Sequence, residues 1–414
     1  MMPDSFIDQH FDLTRRYFLK LGILSVVSSR SLTNSEPILQ GRPDKAGVQP
    51  DPYFTRPEYF TDVSRGNPTP HSIPISRKRE VGLTRDTWKL EIMSDPEHHA
   101  TLGLEMTRAQ GTALDFDTLL KLGTKHAVRF PKLMTCLNLG CPLGMGLWEG
   151  VPLRDVVWLT QPKENLRRVF YYGFHNDDPA QLFRSSLPIG RVLEDTFDLP
   201  PVILCYKLNG GWLSSERGGP VRIVVPEAYG FKSIKWLSHI MLSNIPAAND
   251  TYAEQNNDVD SPLKSFASFL SVPAKAQSGS PILISGYAQV GISGVAKVQV
   301  CVEPESKMPD SNDPYFNKSR WLDAKILGPP SKWSGLPGNQ VPTGTIGFDA
   351  SGKPLHWPLR LTNAHWAVAL PGLTPGNYSL RCRTVDDRGQ AQPMPRPFQK
   401  SGRAAIESMN IIVI

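Results

Sequence analysis

Residues 208–237 read LNGGWLSSERGGPVRIVVPEAYGFKSIKWL, and this stretch indicates how the middle of the chain folds. The apolar run PVILCYKL at 201–208 and the run VRIVV at 221–225 are both typical of buried strands. Between them, Asn209-Gly210-Gly211 is a tight-turn signal, because asparagine and glycine tolerate the positive φ that such turns require. Two buried strands on either side of a tight turn predict a sheet that is mostly buried.

The sequence on either side of this stretch differs in texture. Residues 37–87 are rich in Pro, Asp, Ser and Arg at their start and predict an extended arm. At 88–265 short apolar runs alternate with turn signals, including a helical pattern at 115–122 and a polar linker or surface loop at 249–261. At 278–414 apolar and polar residues alternate with period two between Gly- and Pro-rich turns. We therefore predict an α+β fold, in which a mixed domain is followed by an immunoglobulin-like β-sandwich.

The bulk composition fits a globular chain of more than one domain. The 414 residues are 40% hydrophobic and 9% aromatic, and the formal net charge is +6. No basic helix or Lys/Arg block concentrates that charge, so we predict no nucleic-acid partner; a small anionic ligand or an ordinary solvated surface accounts for it. The five cysteines form no C-x-x-C pair, which argues against a zinc ribbon, a thioredoxin-like site or an attached haem.

The N-terminus carries an export pattern. Arg15-Arg16 precedes Tyr17-Phe18-Leu19-Lys20 and a short apolar run, which matches a twin-arginine signal. We predict a leader at 1–36 and a periplasmic or otherwise extracytoplasmic protein. The apolar run is too short to span a bilayer, so no stable membrane span is predicted. The alternative is an amphipathic first helix with a chance Arg-Arg pair.

Basic residues beside glycines make residues 208–237 a candidate anion site. Arg222 lies on a predicted strand, and Lys235 follows Gly230 by five positions. Arginine offers forked donors, lysine offers a point charge, and glycine-rich backbone exposes N–H groups, which together suit a phosphate. Basic residues also occur beside glycines in many surface hairpins, so the pattern alone leaves both interpretations open.

The segment LMTCLNLGC at 133–141 contains a candidate metal ligand. Cys136 ends a predicted strand and precedes a loop, where a thiolate could bind a soft metal. A buried cysteine before an ordinary loop is the alternative that composition favours. A disulfide between Cys136 and Cys141 is a third interpretation, since an oxidising compartment permits it.

These segments, together with VSRGNP at 63–68, resemble the sulfite oxidase family of molybdenum enzymes. The most specific part is 209–237, with its G-x-P-V-R-x-V-V-P and G-x-x-S-x-K-W-L elements. LRCRTVDDRG at 380–389 is similar to the family's dimerisation domain, so the resemblance covers most of the chain after the leader. It implies a Mo-molybdopterin cofactor in the mixed domain and a homodimer formed through the sandwich.

The resemblance also implies which residues hold the cofactor. Cys136 would be the thiolate ligand of molybdenum, beside the two sulfurs of the pterin. Arg222, Ser233 and Lys235 would hold the pterin or its phosphate.

Further residues are implied around the substrate. Arg65 and Asn67 would reach from the arm to the cofactor or to a small oxyanion, and Arg217 would supply positive charge beside them. The family's pterin-binding aspartate is matched by Asp177 or, without a gap, by His175. With Cys136, the arginines at 65 and 217 form the predicted catalytic set.

The sequence also departs from the family. Arg217 replaces a common histidine, and arginine cannot titrate near neutrality. The loop after Cys136 lacks the usual C-x-G-N. The substrate tyrosine has no clear equivalent, because the matching region is 256–259 and Tyr252 is only loosely nearby.

The implied activity is oxo transfer to or from a small oxyanion, with sulfite as the default substrate. Because the chain has no haem motif, electrons would pass to a separate carrier such as a cytochrome. Two alternatives stay open: a reductase of oxidised sulfur compounds, and a non-catalytic scaffold with a degraded site.

Overall fold

The chain builds three β-sheets joined by short helices in a computed structural model, which describes residues 53–195, 199–260, 262–307, 313, 316–392 and 398–414. The predicted leader and its arginine pair lie outside these residues. Within the described part of the chain, no helix has the length and apolar character needed to cross a bilayer.

The mixed domain contains five helices and ten strands among its described residues. In chain order they are α1 (Ile75–Glu80), β1 (Lys89–Ser94), β2 (Leu114–Asp115), α2 (Phe116–His126), β3 (Val128–Thr135), β4 (Pro142–Pro152), α3 (Leu153–Trp158), β5 (Arg168–Gly173), β6 (Arg184–Pro188), α4 (Ile189–Leu193), β7 (Ile203–Leu208), β8 (Gly211–Trp212), β9 (Arg222–Val224), β10 (Leu237–Ser243) and α5 (Thr251–Glu254). They form two sheets, ordered β2-β1-β10-β5-β6 and β3-β4-β7-β8, with β9 pairing on β7. The predicted α+β class is confirmed.

Local signals in the sequence produce the elements that were predicted from them. The helix expected at 115–122 is α2, and it starts after Asp115, whose carboxylate accepts a hydrogen bond from the Thr118 amide at 2.8 Å. The turn after β7 places Asn209 at φ 52° and Gly210 at φ 82°, so β8 folds back antiparallel on β7. Both buried strands, β7 and β9, are confirmed.

The second domain is a β-sandwich. Its strands are β11 (Phe266–Ser271), β12 (Lys275–Ala276), β13 (Ile282–Gln289), β14 (Lys297–Pro304), β15 (Trp321–Ile326), β16 (Asn363–Leu370), β17 (Gly376–Val385) and β18 (Glu407–Val413). β15 pairs with both β14 and β16, so it links the two halves of the sandwich. Phe269, Trp366 and Leu380 are buried between the halves. The pairing starts at β11, ahead of the predicted start at 278.

Residues 327–361 connect β15 to β16 and pack on the mixed domain; we call them the interdomain segment. Trp333 and Phe348 of this segment share one apolar cluster with Leu133 and Met145 of the mixed domain. The Leu133 amide donates to the carbonyl of Leu361 at 2.7 Å. This packing lies directly behind β3, the strand that leads to Cys136.

A second contact between the domains adjoins the same cysteine. The Thr135 hydroxyl donates to Oε1 of Gln289 on β13 at 2.7 Å, and both side chains are fully buried. Gln289 in turn donates through Nε2 to the Lys264 carbonyl at 2.7 Å. The end of β3 is therefore held by residues of both domains.

Candidate functional site

One cleft in the mixed domain collects most of the predicted site residues. It encloses about 1120 Å³, including its solvent-open mouth. Its walls come from the arm, the loop after β3, the end of β5, residues 217–236 and α5. Seven of the nine predicted residues line it: Arg65, Cys136, His175, Arg217, Arg222, Ser233 and Lys235.

Two buried arginines form the inner end of the cleft. Arg222 donates through Nη1 to the Arg217 carbonyl at 2.8 Å and through Nη2 to the Ser233 carbonyl at 2.5 Å, above the Trp148 ring. Burial lowers the pKa of Arg222 to about 10. Arg217 donates through Nη1 to the Phe60 carbonyl at 3.1 Å, while its Nε is buried without a hydrogen-bond partner.

Lys235 completes this inner group. Its ammonium lies 3.0 Å from Oδ1 of Asp62, 2.7 Å from the Ser64 hydroxyl and 2.7 Å from the Glu216 carbonyl. Burial lowers the pKa of Lys235 to about 7, with Arg222 and Arg217 acting in the same direction and Asp62 against it. The ion pair with Lys235 and the hydrogen bond from Ser64 outweigh burial at Asp62 and lower its pKa to about 2.

Glycine is required where the backbone approaches Lys235. Gly218 has φ +98°, and a Cβ on it would lie 2.7 Å from the Lys235 side chain. Only glycine combines that left-handed conformation with so close an approach. The close approach at Gly218 thus brings Arg217 and Lys235 to one wall of the cleft.

Cys136 presents a free thiol at the start of a tight loop. Its amide donates to the Cys141 carbonyl at 3.1 Å, and its carbonyl accepts from the Gly140 amide at 2.9 Å. Both cysteines are free, so the disulfide weighed from the sequence is not formed in this structure. Burial raises the pKa of Cys141 to about 11, which disfavours its thiolate.

The mouth of the cleft is held by the arm and by aromatic rings. The Arg65 guanidinium lies 4.4 Å from the ring centre of Phe183 and 5.3 Å from that of Tyr252, and its Nη2 donates to the Tyr252 hydroxyl at 3.2 Å. Tyr252 also stacks on Phe231, with ring centres 4.6 Å apart. Arg65 is exposed, unlike the inner cations.

Two predicted residues do not line the cleft. Asn67 is not a lining residue, although its backbone amide donates to Oε1 of the lining residue Gln181 at 2.9 Å. Asp177 lies at positive φ and pairs through Oδ2 with Nη2 of Arg77 at 2.6 Å on the surface. Between the two candidates for the pterin-binding position, the structure places His175 in the cleft.

Tyr252 is a cleft residue that the sequence did not assign. It lies in the run predicted as a linker, yet it is 4% exposed. Asp250 holds it there, because its Oδ2 pairs with the buried Lys232 ammonium at 3.1 Å and its Oδ1 caps α5. The signal available in the sequence was an aromatic residue, Tyr252, just after Asp250 inside an otherwise polar run.

Comparison with known proteins agrees with this geometry. Residues 78–251 match the family model described as an oxidoreductase molybdopterin binding domain. Chicken (Gallus gallus) sulfite oxidase is 34% identical over 113 residues, covering 27% of this chain and 24% of that protein. The Pichia angusta nitrate reductase [NADPH] is 31% identical over 104 residues, covering 25% of this chain and 12% of that protein.

Over its oxidoreductase molybdopterin binding domain, the chain is similar to both sulfite oxidases and nitrate reductases. Its matches span about a quarter or less of the curated relatives' own length. The fold similarity extends further: the sulfane dehydrogenase SoxCD from Paracoccus pantotrophus superposes with a TM-score of 0.53 at 18% identity, covering 79% of this chain and 76% of that one.

The residues of the cleft fit the cofactor of the sulfite oxidase family. Arg217, Arg222 and Lys235 line the cleft. The carboxylates paired with them, Asp62 at Lys235 and Glu216 at Arg217, are not among the lining residues, so an anionic phosphate would be electrostatically favoured. The unpaired Nε of Arg217 and the unpaired buried Nδ1 of His175 are free for a polar ligand. Among the described residues, no group of three His, Cys, Asp or Glu side chains could hold a metal. In the family resemblance, a metal at Cys136 would take its further donors from the two sulfurs of the pterin.

Proposed function

We propose that this chain is an exported molybdenum-cofactor oxidoreductase that transfers an oxo group to or from a small sulfur oxyanion. The observation that supports the proposal is the meeting of one free thiol, Cys136, with the inner cations in a single cleft. A soft thiolate suits molybdenum, and buried cations suit the pterin phosphate.

Different residues of the cleft would bind different parts of the cofactor and the substrate. Arg222 and Lys235 would hold the phosphate, Ser233 and His175 the polar edge of the pterin, and Cys136 the metal. When bound, the cofactor supplies a two-electron metal centre that exchanges an oxygen atom. Arg65, at the mouth, would bind the oxyanion through N–H groups left over from its contact with Tyr252.

Arg217 would contribute fixed positive charge at the inner end of the cleft. Its guanidinium is buried and bonded to the Phe60 carbonyl, so it keeps its orientation when a ligand enters. Because arginine stays protonated across the working pH range, it would stabilise an oxyanion without exchanging protons. Asn67 and Asp177, which lie outside the cleft lining, have no direct role in this proposal.

The proposal includes the setting of the enzyme. In this proposal the chain is exported through the twin-arginine pathway. It consists of an arm at 37–87, a cofactor domain at 88–265 and a sandwich at 278–414 that forms the homodimer. Electrons would leave to a separate carrier such as a cytochrome. Support for this setting comes from the sequence pattern of the leader and from the sandwich fold.

Metal analysis of paired proteins tests the assignment. The wild-type chain and a Cys136→Ser variant would be purified from a host that makes the cofactor, and molybdenum would be measured per chain. We expect near-stoichiometric metal in the wild type, and in the variant a loss of oxidation of sulfite with a dye acceptor. Cys205→Ser is the matched control, because Cys205 is buried in β7 outside the cleft lining. Unchanged activity in Cys136→Ser would contradict the assignment.

Reduction of an oxyanion is the second candidate. Nitrate reductases are among the relatives of this domain, and Arg217 stands where the family commonly has histidine. The same protein assayed anaerobically with a reduced dye and a sulfoxide or nitrate distinguishes the two directions. Turnover in that assay without sulfite oxidation would favour the reductase.

A further inference from the structure

Two departures from the family's sequence pattern meet in space at the mouth of the cleft. In place of the family's C-x-G-N, the loop at Cys136 reads Cys-Leu-Asn-Leu, and the aromatic hydroxyl comes from Tyr252 rather than from 256–259. The Tyr252 hydroxyl donates to Oδ1 of Asn138 at 3.2 Å and accepts from Nη2 of Arg65 at 3.2 Å. Three chain segments are thus joined through one oxygen atom.

The direction of these hydrogen bonds follows from the donors available. A tyrosine hydroxyl has one proton, while a guanidinium can only donate. Facing Arg65, the hydroxyl must therefore act as acceptor, and its own proton goes to the carbonyl oxygen of Asn138. Without Asn138 the hydroxyl would be free to rotate, so its lone pair would no longer be held towards Arg65.

The rings around this hydroxyl limit its movement. Tyr252 is stacked on Phe231, and Phe183 meets it edge-on with ring centres 5.4 Å apart. Arg65 lies over Phe183 and Tyr252, so its guanidinium is aligned by two ring faces and one hydroxyl. Asn138, by contrast, is exposed and belongs to the same loop as Cys136.

From this arrangement we infer that Asn138 is a positioning residue: it orients the Tyr252 hydroxyl, and through it the Arg65 guanidinium that binds the substrate oxyanion. The inference rests on the proposed function, because it assigns the substrate to the Arg65 end. It links the loop that carries the metal ligand to the group that binds the substrate. The two sequence departures compensate each other in this arrangement.

Sulfate, a non-reacting oxyanion, tests the inference by calorimetric titration of the full-length chain. Asn138→Ala and Tyr252→Phe should each weaken sulfate binding about three- to tenfold, as expected for one hydrogen bond that positions a charged donor. The double variant should bind no more weakly than Tyr252→Phe alone, since Asn138 acts through that hydroxyl. Leu139→Ala, on the same loop but outside the cleft lining, should leave the affinity unchanged.

The inner cations also attract anions, so sulfate bound at the mouth must be distinguished from sulfate bound at the inner end. Arg65→Ala makes this distinction, because it removes only the binding at the mouth. In the Arg65→Ala background, Asn138→Ala should have no further effect. The inference would be overturned if Asn138→Ala left sulfate affinity unchanged. It would also be overturned if Asn138→Ala weakened sulfate binding as much in the Tyr252→Phe background as in the wild type. Asn138→Asp keeps an acceptor but adds a charge, so its sulfate affinity should recover as the pH falls through about 4. Because charge repulsion alone produces that pH profile, it shows that residue 138 lies near the bound anion, and the Tyr252→Phe background separates positioning from a purely structural role.

The loaded enzyme gives a separate readout. Asn138→Ala should raise KM for the oxyanion with a smaller change in kcat, because it weakens binding in the ground state and the transition state alike. If the chain binds no molybdenum at all, the proposed function fails, whereas the sulfate titrations on cofactor-free protein still decide the role of Asn138.

Discussion

The two ends of the cleft hold their cations in different ways. At the inner end Arg217 and Arg222 are buried and donate to backbone carbonyls, while half-buried Lys235 is held by Asp62, Ser64 and the Glu216 carbonyl. At the mouth Arg65 is exposed and is held by aromatic faces and a hydroxyl. Backbone carbonyls are held in place by the fold, so a side chain that donates to them has a fixed orientation. Aromatic ring faces impose no single hydrogen-bond geometry, so a guanidinium resting on them can change its orientation. The inner end is thus suited to a permanent cofactor, and the mouth to a ligand that comes and goes.

Arg222→Ala should have the largest effect on this comparison. It removes a buried guanidinium and leaves the carbonyls of Arg217 and Ser233 without their donor, so we expect a loss of about 3 kcal/mol in the free energy of unfolding. Denaturant unfolding of the cofactor-free chain measures it. Arg168→Ala is the control, since Arg168 also donates to a carbonyl but lies outside the cleft. A loss below that of the control would show that the inner end is not structural.

Lys235 should make anion binding at the inner end depend on pH. With a pKa of about 7, its ammonium is charged below that pH and neutral above it, so sulfate binding to the cofactor-free chain should weaken about tenfold from pH 6 to pH 8. Asp62 stays ionised throughout, because its pKa is about 2. Lys235→Arg should bind sulfate without this pH dependence. If the pH dependence persisted in that variant, Lys235 would not be its source.

The same lysine should act on stability with the opposite sign. Its pKa is lower in the folded chain than the ordinary value of 10.5, so the unfolded chain binds more protons between about pH 7 and that value. The free energy of unfolding contributed by Lys235 therefore rises with pH across this window. Buried Lys132, whose pKa is also lowered to about 7, contributes in the same direction. Unfolding of Lys235→Met should show a reduced but not abolished slope.

Arg65→Ala should have the smallest effect on stability. An exposed guanidinium resting on rings contributes well under about 1 kcal/mol to the free energy of unfolding. Its loss should instead weaken oxyanion binding at least about tenfold, measured as KM of the loaded enzyme and as sulfate affinity. A stability loss comparable to that of Arg222→Ala would remove the distinction between the two ends.

Local patterns in the sequence predicted much of the fold. Strands β7 and β9, the turn at Asn209-Gly210 and helix α2 depend on neighbouring residues, so their signals are contained in short windows. Most predicted site residues also come together in one cleft, because the motifs that carry them lie on these elements or beside them. The family resemblance added the order of the motifs, which composition could not supply.

What the sequence could not predict depends on distant partners. Tyr252 reaches the cleft because Asp250 pairs with Lys232, and nothing in the polar run 249–261 indicates that pair. Asp177 and His175 are two positions apart in the sequence. Only the pairing of Asp177 with Arg77 on the surface distinguishes these two candidates for the pterin-binding position. The contact of the interdomain segment with β3 likewise joins residues more than two hundred positions apart.

The contact between Thr135 and Gln289 bears on how freely the two domains could be exchanged in engineering. A graft of another sandwich onto this cofactor domain would have to supply an amide at the Gln289 position, or leave a buried hydroxyl without its acceptor. That hydroxyl belongs to the residue immediately before Cys136. Losing this contact would therefore be felt first next to Cys136, the proposed metal ligand, far from the designed junction.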